Sequence, residues 1–191
     1  MIKAIIFDCF GVLYPDTYWT MAHEFLGDDT EKHEQALHDL VKAVDLGHIT
    51  REELWNQFAK LVGVETEEVY DRLDQFGGLD TRLLTFIEKY KGQYKIGMIS
   101  NVGRGFLERM FTDKPAEYYF DTIVLSSDVN LVKPDRRIYE LTAVRLNLDS
   151  SECVFIDDLE PNVRGAEKAG MKALQYRSFD TFLKQIEPLL H

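Results

Sequence analysis

Ile5-Ile6-Phe7-Asp8-Cys9-Phe10-Gly11-Val12-Leu13 is the stretch on which the fold turns. Ala4–Phe7 is continuously apolar and stops at a carboxylate. Unbroken apolar character, rather than alternation, suits a parallel strand covered on both faces. A carboxylate at the carboxyl end of such a strand sits where α/β sheets bind ligands, in the crevice above the strand ends. Gly11 lets the chain turn close to that crevice. A strand that ends in Asp for solubility alone reads the same way, so the rest of the chain has to decide.

Working outward, Lys95–Ile99, Thr122–Leu125, Cys153–Ile156 and Lys172–Gln175 are further candidate strands. Helical spacing lies between them: Leu83, Leu84, Ile87 and Tyr90 form one stripe, and Ile138, Leu141, Val144 and Leu146 another. Strand and helix in alternation predict a parallel α/β sheet with right-handed crossovers. From about Asp16 to Asp80 the rhythm breaks into successive helices. Thr50-Arg51-Glu52-Glu53 is a capping box, followed by Leu54, Trp55, Phe58, Leu61 and Val62 at helical spacing. Gly47 ends the helix before it, and Gly77-Gly78 marks the return to the core. The acidic run Glu65–Glu68 reads as a solvated helix start. The expected architecture is a Rossmann-like parallel-sheet core, residues 1–15 and 80–191, with a small helical cap inserted at 16–79.

Composition limits what such a protein does. At 191 residues there is room for one well-buried core with a modest insertion. A net charge of -11 disfavours nucleic acid, whose phosphate backbone needs clustered Lys and Arg, but leaves room for a small phosphate at a local positive site. Met1–Phe7 is too short to span a membrane and lacks a small-residue cleavage site, so no membrane and a cytoplasmic location are expected. Cys9 and Cys153 read as buried thiols rather than a disulfide or metal pair. His23, His33, His38, His48 and His191 show no metal-type spacing. Tyr14, Tyr18, Trp19 and Trp55 read first as packing between the inserted helices, and second as a surface for substrate.

Three more segments carry chemistry. Gly97-Met98-Ile99-Ser100-Asn101 ends a strand in a hydroxyl, followed by Gly103 and a helical run; this is an oxyanion cradle or a plain N-cap. In Leu131-Val132-Lys133-Pro134-Asp135 the proline fixes the turn, Asp135 can cap the next helix, and Lys133 becomes either a fixed inward charge or a solvated side chain. Phe155-Ile156-Asp157-Asp158, followed by Leu159-Glu160-Pro161-Asn162-Val163-Arg164-Gly165-Ala166, places two carboxylates after a buried strand. They repel unless a cation or a proton relieves them, and hard oxygen donors suit Mg²⁺; helix capping is the plainer reading.

Taken in order, these segments resemble the four motifs of the haloacid dehalogenase-like superfamily: the Asp8 loop, Ser100, Lys133, and Asp157-Asp158 with Asn162. The resemblance spans almost the whole chain. Val132-Lys133-Pro134-Asp135 and the stretch from Phe155 to Ala166 look typical of the subgroup with a helical cap after the first motif. It implies a Mg²⁺-dependent phosphatase that hydrolyses a small phosphorylated metabolite, with a sugar phosphate among the candidates, through an aspartyl-phosphate. In that reading Asp8 is the nucleophile, and Ser100, Asn101 and Lys133 hold the phosphoryl oxygens. Asp8, the Phe10 backbone carbonyl and Asp158 bind the metal. Asp157 is a ligand or an indirect partner, and Gly11 and Asn162 support the site.

One position departs from the family. Its phosphatases usually carry a second Asp two residues after the nucleophile as general acid and base; here that residue is Phe10. Lack of the acid typically costs about 10²–10⁴-fold for leaving groups that need a proton. Asp16 is a candidate substitute, though a solvent-facing turn is the plainer reading of it. The departure opens two alternatives: a metal-independent 2-haloacid dehalogenase, whose relatives carry an aromatic residue there, and a catalytically impaired binding protein. Phe10→Asp is expected to raise turnover of alkyl phosphates more than of aryl or acyl phosphates, unless another acid already serves.

Overall fold

Five strands, β1 (Ala4–Phe7), β2 (Lys95–Ser100), β3 (Thr122–Leu125), β4 (Cys153–Asp157) and β5 (Lys172–Gln175), form one parallel sheet in the order β3-β2-β1-β4-β5. The computed structural model describes residues 1–102 and 105–190, so Gly103 and His191 lie outside the described residues. All five expected strands are present. Two run one residue further, and those residues are Ser100 and Asp157.

Period-two geometry explains why β1 had to be apolar throughout. Ile5 and Phe7 face one side, packing with Leu83, Phe86 and Ile87 of α5 (Thr81–Tyr90) and with Phe182 and Ile186 of α11 (Phe179–Ile186). Ala4 and Ile6 face the other, against Ile138, Tyr139 and Ala143 of α9 (Arg136–Arg145) and Ala166 of α10 (Glu160–Lys168). Full burial of each large apolar side chain contributes roughly 1.5–3 kcal/mol, so both faces hold the strand.

The α9 stripe needs a correction. Val144 is 71% exposed, whereas the buried face is Ile138, Tyr139, Thr142 and Ala143. Six residues at about 100° each carry Val144 away from the Ile138 face, whereas steps of four stay on it.

Between β1 and α5 the chain forms α1 (Thr17–Leu26), α2 (Thr30–Asp45), α3 (Arg51–Val62) and α4 (Thr66–Leu73). The capping box is formed: the Glu53 N–H donates to Thr50 Oγ1 at 3.1 Å and the Thr50 N–H to Glu53 Oε2 at 2.7 Å. Gly47, with φ +71°, takes the left-handed turn after α2. These helices make a hydrophobic cluster of their own, centred on Tyr18, Trp55 and Phe58, which Val102 and Phe106 from the segment after β2 join. Short helices α6 (Leu107–Met110), α7 (Ala116–Tyr119) and α8 (Ser126–Val129) complete the connections. No helix among the described residues is long and apolar enough to cross a membrane.

Candidate active site

The chain leaves β1 for β2 on one side of the sheet and later returns to lay β4 on the other, which opens a crevice at the carboxyl ends of β1 and β4. Asp8 follows β1 directly, its N–H donating to the Ile156 carbonyl at 2.8 Å. Asp157 ends β4 and Asp158 follows it. Carboxylate oxygens of Asp8, Asp157 and Asp158 lie within 4.8 Å of one another.

Lys133 reaches into this acidic cluster. Its Nζ is 2.6 Å from Asp8 Oδ1 and 2.7 Å from Asp157 Oδ2, and its side chain is 1% exposed. The lysine is an inward charge, not a solvated one. The Asn101 side chain holds its backbone on both sides: Asn101 Nδ2 donates to the Lys133 carbonyl at 3.1 Å, and the Lys133 N–H donates to Asn101 Oδ1 at 2.8 Å. Pro134 behind it packs so tightly on α10 that a Cβ at Gly165 would lie 2.8 Å from the proline ring and its carbonyl. Asp135 caps α9, accepting from the Arg137 N–H at 2.9 Å.

The two carboxylates of the acidic pair differ in their surroundings. Asp157 Oδ1 accepts from the Leu159 N–H at 2.9 Å and from Asn162 Nδ2 at 3.1 Å, and Asn162 Nδ2 also reaches Oδ2 at 3.1 Å. With Lys133 as well, both oxygens are engaged within the protein. Asp158 is only partly buried and lies under Gly11, where a Cβ would meet its Oδ2 at 2.3 Å. Gly11 has φ +79°, a conformation that costs an L residue roughly 1–2 kcal/mol. Gly11→Ala is therefore expected to lower the melting temperature by about 2–8 °C, and to displace the Asp158 carboxylate. Thermal melts with and without Mg²⁺ would check both effects.

Electrostatics follow from this geometry. Burial raises the Asp8 carboxyl well above its ordinary range, and the charge of Asp157 adds to that; Lys133 and the Cys9 N–H, 2.6 Å from Asp8 Oδ1, oppose it. Burial disfavours the Lys133 ammonium, but Asp8 and Asp157 together outweigh burial and hold it above its usual value. Asp158 is pushed up to about 6, by burial first and by Asp157 second. Added positive charge would relieve Asp8 and Asp158. As hard oxygen donors, Asp8 and Asp158, with the more engaged Asp157 beside them, fit a cation of the Mg²⁺ type. No histidine joins a metal-type cluster among the described residues.

A cavity of about 180 Å³ stands over the cluster, between the strand ends and helices α1 to α3. Ser100 lines it, and its hydroxyl is buried without a hydrogen-bond partner among the described residues. Since α6 begins only at Leu107, Ser100 does not cap a helix. Phe10 lines the cavity as well, meeting Tyr14 and Phe106 edge-on at 5.9 Å. Tyr18, Trp19 and Trp55 pack among the inserted helices, as the plainer reading expects, and also line the cavity, which Tyr14 does not. Asp16 is exposed at the rim. Asp45, the last residue of α2, lines the cavity and carried no signal in the sequence; the Trp55 Nε1 is buried with no partner among the described residues. Cys9 and Cys153 are buried free thiols.

The family model for haloacid dehalogenase-like hydrolases matches residues 2–170. The chain belongs to that family. It is 25% identical, over 92% of each chain, to the D-ribitol-5-phosphate phosphatase of Bacteroides thetaiotaomicron. It is also 25% identical to the drimenol cyclase of Aspergillus calidoustus over 97% of its own length, which is only 36% of that protein. In fold it is similar to a HAD family enzyme from Bacteroides thetaiotaomicron in complex with magnesium and inorganic phosphate. That similarity has a TM-score of 0.74 at 20% identity, covering 94% of this chain and 96% of the other. The present chain is a haloacid dehalogenase-like hydrolase in family and in fold.

Proposed function

We propose that this haloacid dehalogenase-like hydrolase is a Mg²⁺-dependent phosphatase of a small phosphorylated metabolite, working through an aspartyl-phosphate on Asp8. The observation that carries the reading is the Lys133 ammonium, 2.6 Å from Asp8 and 2.7 Å from Asp157, under a cavity also lined by Ser100, whose buried hydroxyl has no partner among the described residues. A buried cation and a free donor beside a carboxylate suit a bound phosphoryl group better than any neutral ligand. The D-ribitol-5-phosphate phosphatase relative supports a phosphorylated polyol or carbohydrate as the substrate class. Residues 1–15 and 80–191 serve as catalytic core and 16–79 as the cap that meets the substrate; the separate hydrophobic cluster of the inserted helices supports that division.

In this mechanism Asp8 attacks phosphorus, the bond to the leaving oxygen breaks, and water then hydrolyses the acyl phosphate. Ser100 and Lys133 hold the phosphoryl oxygens through charge-assisted hydrogen bonds. Asn101, with both ends of its amide on Lys133, sets the position of that lysine. Asp157, hydrogen-bonded by Asn162, anchors the ammonium. Mg²⁺ bound by Asp8, Asp158 and the Phe10 carbonyl would offset the charge that accumulates on the phosphoryl oxygens.

The alternative as a metal-independent dehalogenase leaves Asp158 facing an anionic substrate with nothing to neutralise it. The test is a set of phosphorylated metabolites assayed with Mg²⁺ and with a chelator, and 2-haloacids assayed with the chelator. Release of phosphate that stops on chelation is expected. Halide release in chelator, or no phosphate release from any substrate, would sink the proposal.

A further inference from the structure

We propose that Asp45, at the cavity end of α2, is the proton donor to the departing oxygen, supplying from the inserted helices what Phe10 cannot. The inference rests on the phosphatase reading. In phosphoryl transfer the attacking and leaving oxygens lie roughly in line. Asp8, Ser100 and Lys133 occupy the floor of the cavity, at the strand ends. Attack by Asp8 therefore sends the leaving oxygen away from the sheet, toward α1, α2 and α3. Of the residues that these three helices contribute to the cavity, Asp45 is the one carboxylate. Tyr18 also lines it, but the hydroxyl donates to the Leu37 carbonyl at 2.9 Å and is committed there.

Asp45 is also held in place. Its backbone carbonyl accepts from Ser126 Oγ, and the same Ser126 oxygen accepts from the Val102 N–H at 3.0 Å. Val102 lies two residues beyond Ser100, so one serine ties the end of α2 to the loop that carries the phosphate-facing hydroxyl. Gly47 fits against α8, where a Cβ would come within 3.1 Å of Ser127. Trp55 of α3 lines the same cavity, and its Nε1–H is buried with no hydrogen-bond partner among the described residues.

The chemistry is consistent. Burial pushes the Asp45 carboxyl up to about 7, with Lys133 drawing it partly back. A position at the carboxyl end of a helix favours the neutral form further. An acid near the operating pH is the effective one. Asp16 is less suited: packing raises it, but the Trp19 and Tyr18 N–H groups favour its charged form, and its side chain is exposed at the start of α1.

The step balances as follows. An Asp8 oxygen forms a bond to phosphorus while the bond from phosphorus to the leaving oxygen breaks, its electron pair staying on that oxygen. The Asp45 proton moves onto the oxygen, and a neutral alcohol departs. The Asp45 carboxylate then takes a proton from the water that attacks phosphorus, the bond from phosphorus to Asp8 breaks, and inorganic phosphate leaves with both residues restored.

The experiment compares an alkyl phosphate with p-nitrophenyl phosphate in Asp45→Asn, Asp45→Glu and wild type. Asp45→Asn is expected to lower kcat/KM for the alkyl ester by about 10²–10⁴-fold, but less than about tenfold for the aryl ester, whose leaving group needs no proton. Asp45→Glu, which keeps a proton to give, should lose less than Asn on the alkyl ester. Phe10→Asp should restore alkyl turnover in the Asp45→Asn background, because it returns an acid to the site. Equal losses on both esters would overturn the assignment while leaving the phosphatase reading intact. A wild type that hydrolyses neither ester would overturn both.

Discussion

Replacing Asp8 by Asn is expected to abolish turnover, with a loss of at least about 10⁴-fold, and to leave the protein folded. The amide keeps the shape of the side chain but has no lone pair able to attack phosphorus at a useful rate. Folding should survive for a reason visible in the packing. Asp8 is a carboxylate that burial already disfavours as a charge, and Lys133 keeps Asp157 as a partner at 2.7 Å when Asp8 is neutral. The variant therefore separates chemistry from architecture. Rapid quenching of wild type with labelled substrate should trap phosphate on the protein in a form that hydroxylamine releases, as an acyl phosphate requires. The Asn variant should trap none. Residual turnover within tenfold of wild type would mean that Asp8 is not the nucleophile and that the resemblance misleads about mechanism.

Much of this was legible from residue order alone. The strands could be read because a parallel sheet covered on both faces demands unbroken apolar runs, and Ala4–Phe7, with Cys153–Ile156 beside it, obeys that demand. The clustered carboxylates could be read because Asp8 and the Asp157-Asp158 pair close two of those runs. Lys133 could be read because proline follows it, although nothing in the sequence said that it would bridge Asp8 and Asp157. Other features were hidden for physical reasons. Asp45 looks like an ordinary polar residue at a helix end, and its neighbours become significant only when the helix docks on α8. Ser126 is a small side chain in a short helix; its two hydrogen-bond partners are 24 and 81 residues away in sequence. Val144 was misplaced because a single apolar residue on the outer face of a helix is common and carries no penalty. Local periodicity reports on one element at a time, whereas the inserted helices acquire their role from contacts between elements.

The most severe change in stability is expected at Lys133. Its ammonium lies between two carboxylates that are 8% and 0% exposed, so Lys133→Ala removes the compensation from both at once. Breaking a buried ion pair from one side typically costs about 3–5 kcal/mol, because an unpaired charge stays behind. For a chain of this size that corresponds to a fall in melting temperature of roughly 6–20 °C. Two further measurements separate this cause from simple loss of packing. Asp157→Asn in the Lys133→Ala background should recover part of the loss, since it removes one of the stranded charges, while Asp157→Asn alone should destabilise by depriving Lys133 of a partner. Millimolar Mg²⁺ should raise the melting temperature of Lys133→Ala by more than that of wild type, because a ligand that binds only the folded state stabilises it by mass action and here also replaces the lost positive charge. If the double variant is no more stable than Lys133→Ala, and Mg²⁺ makes no difference, then Lys133 matters for the volume it fills rather than for its charge. The site would then lack the electrostatic tension between carboxylates on which the proposed binding of a cation and an anionic substrate depends.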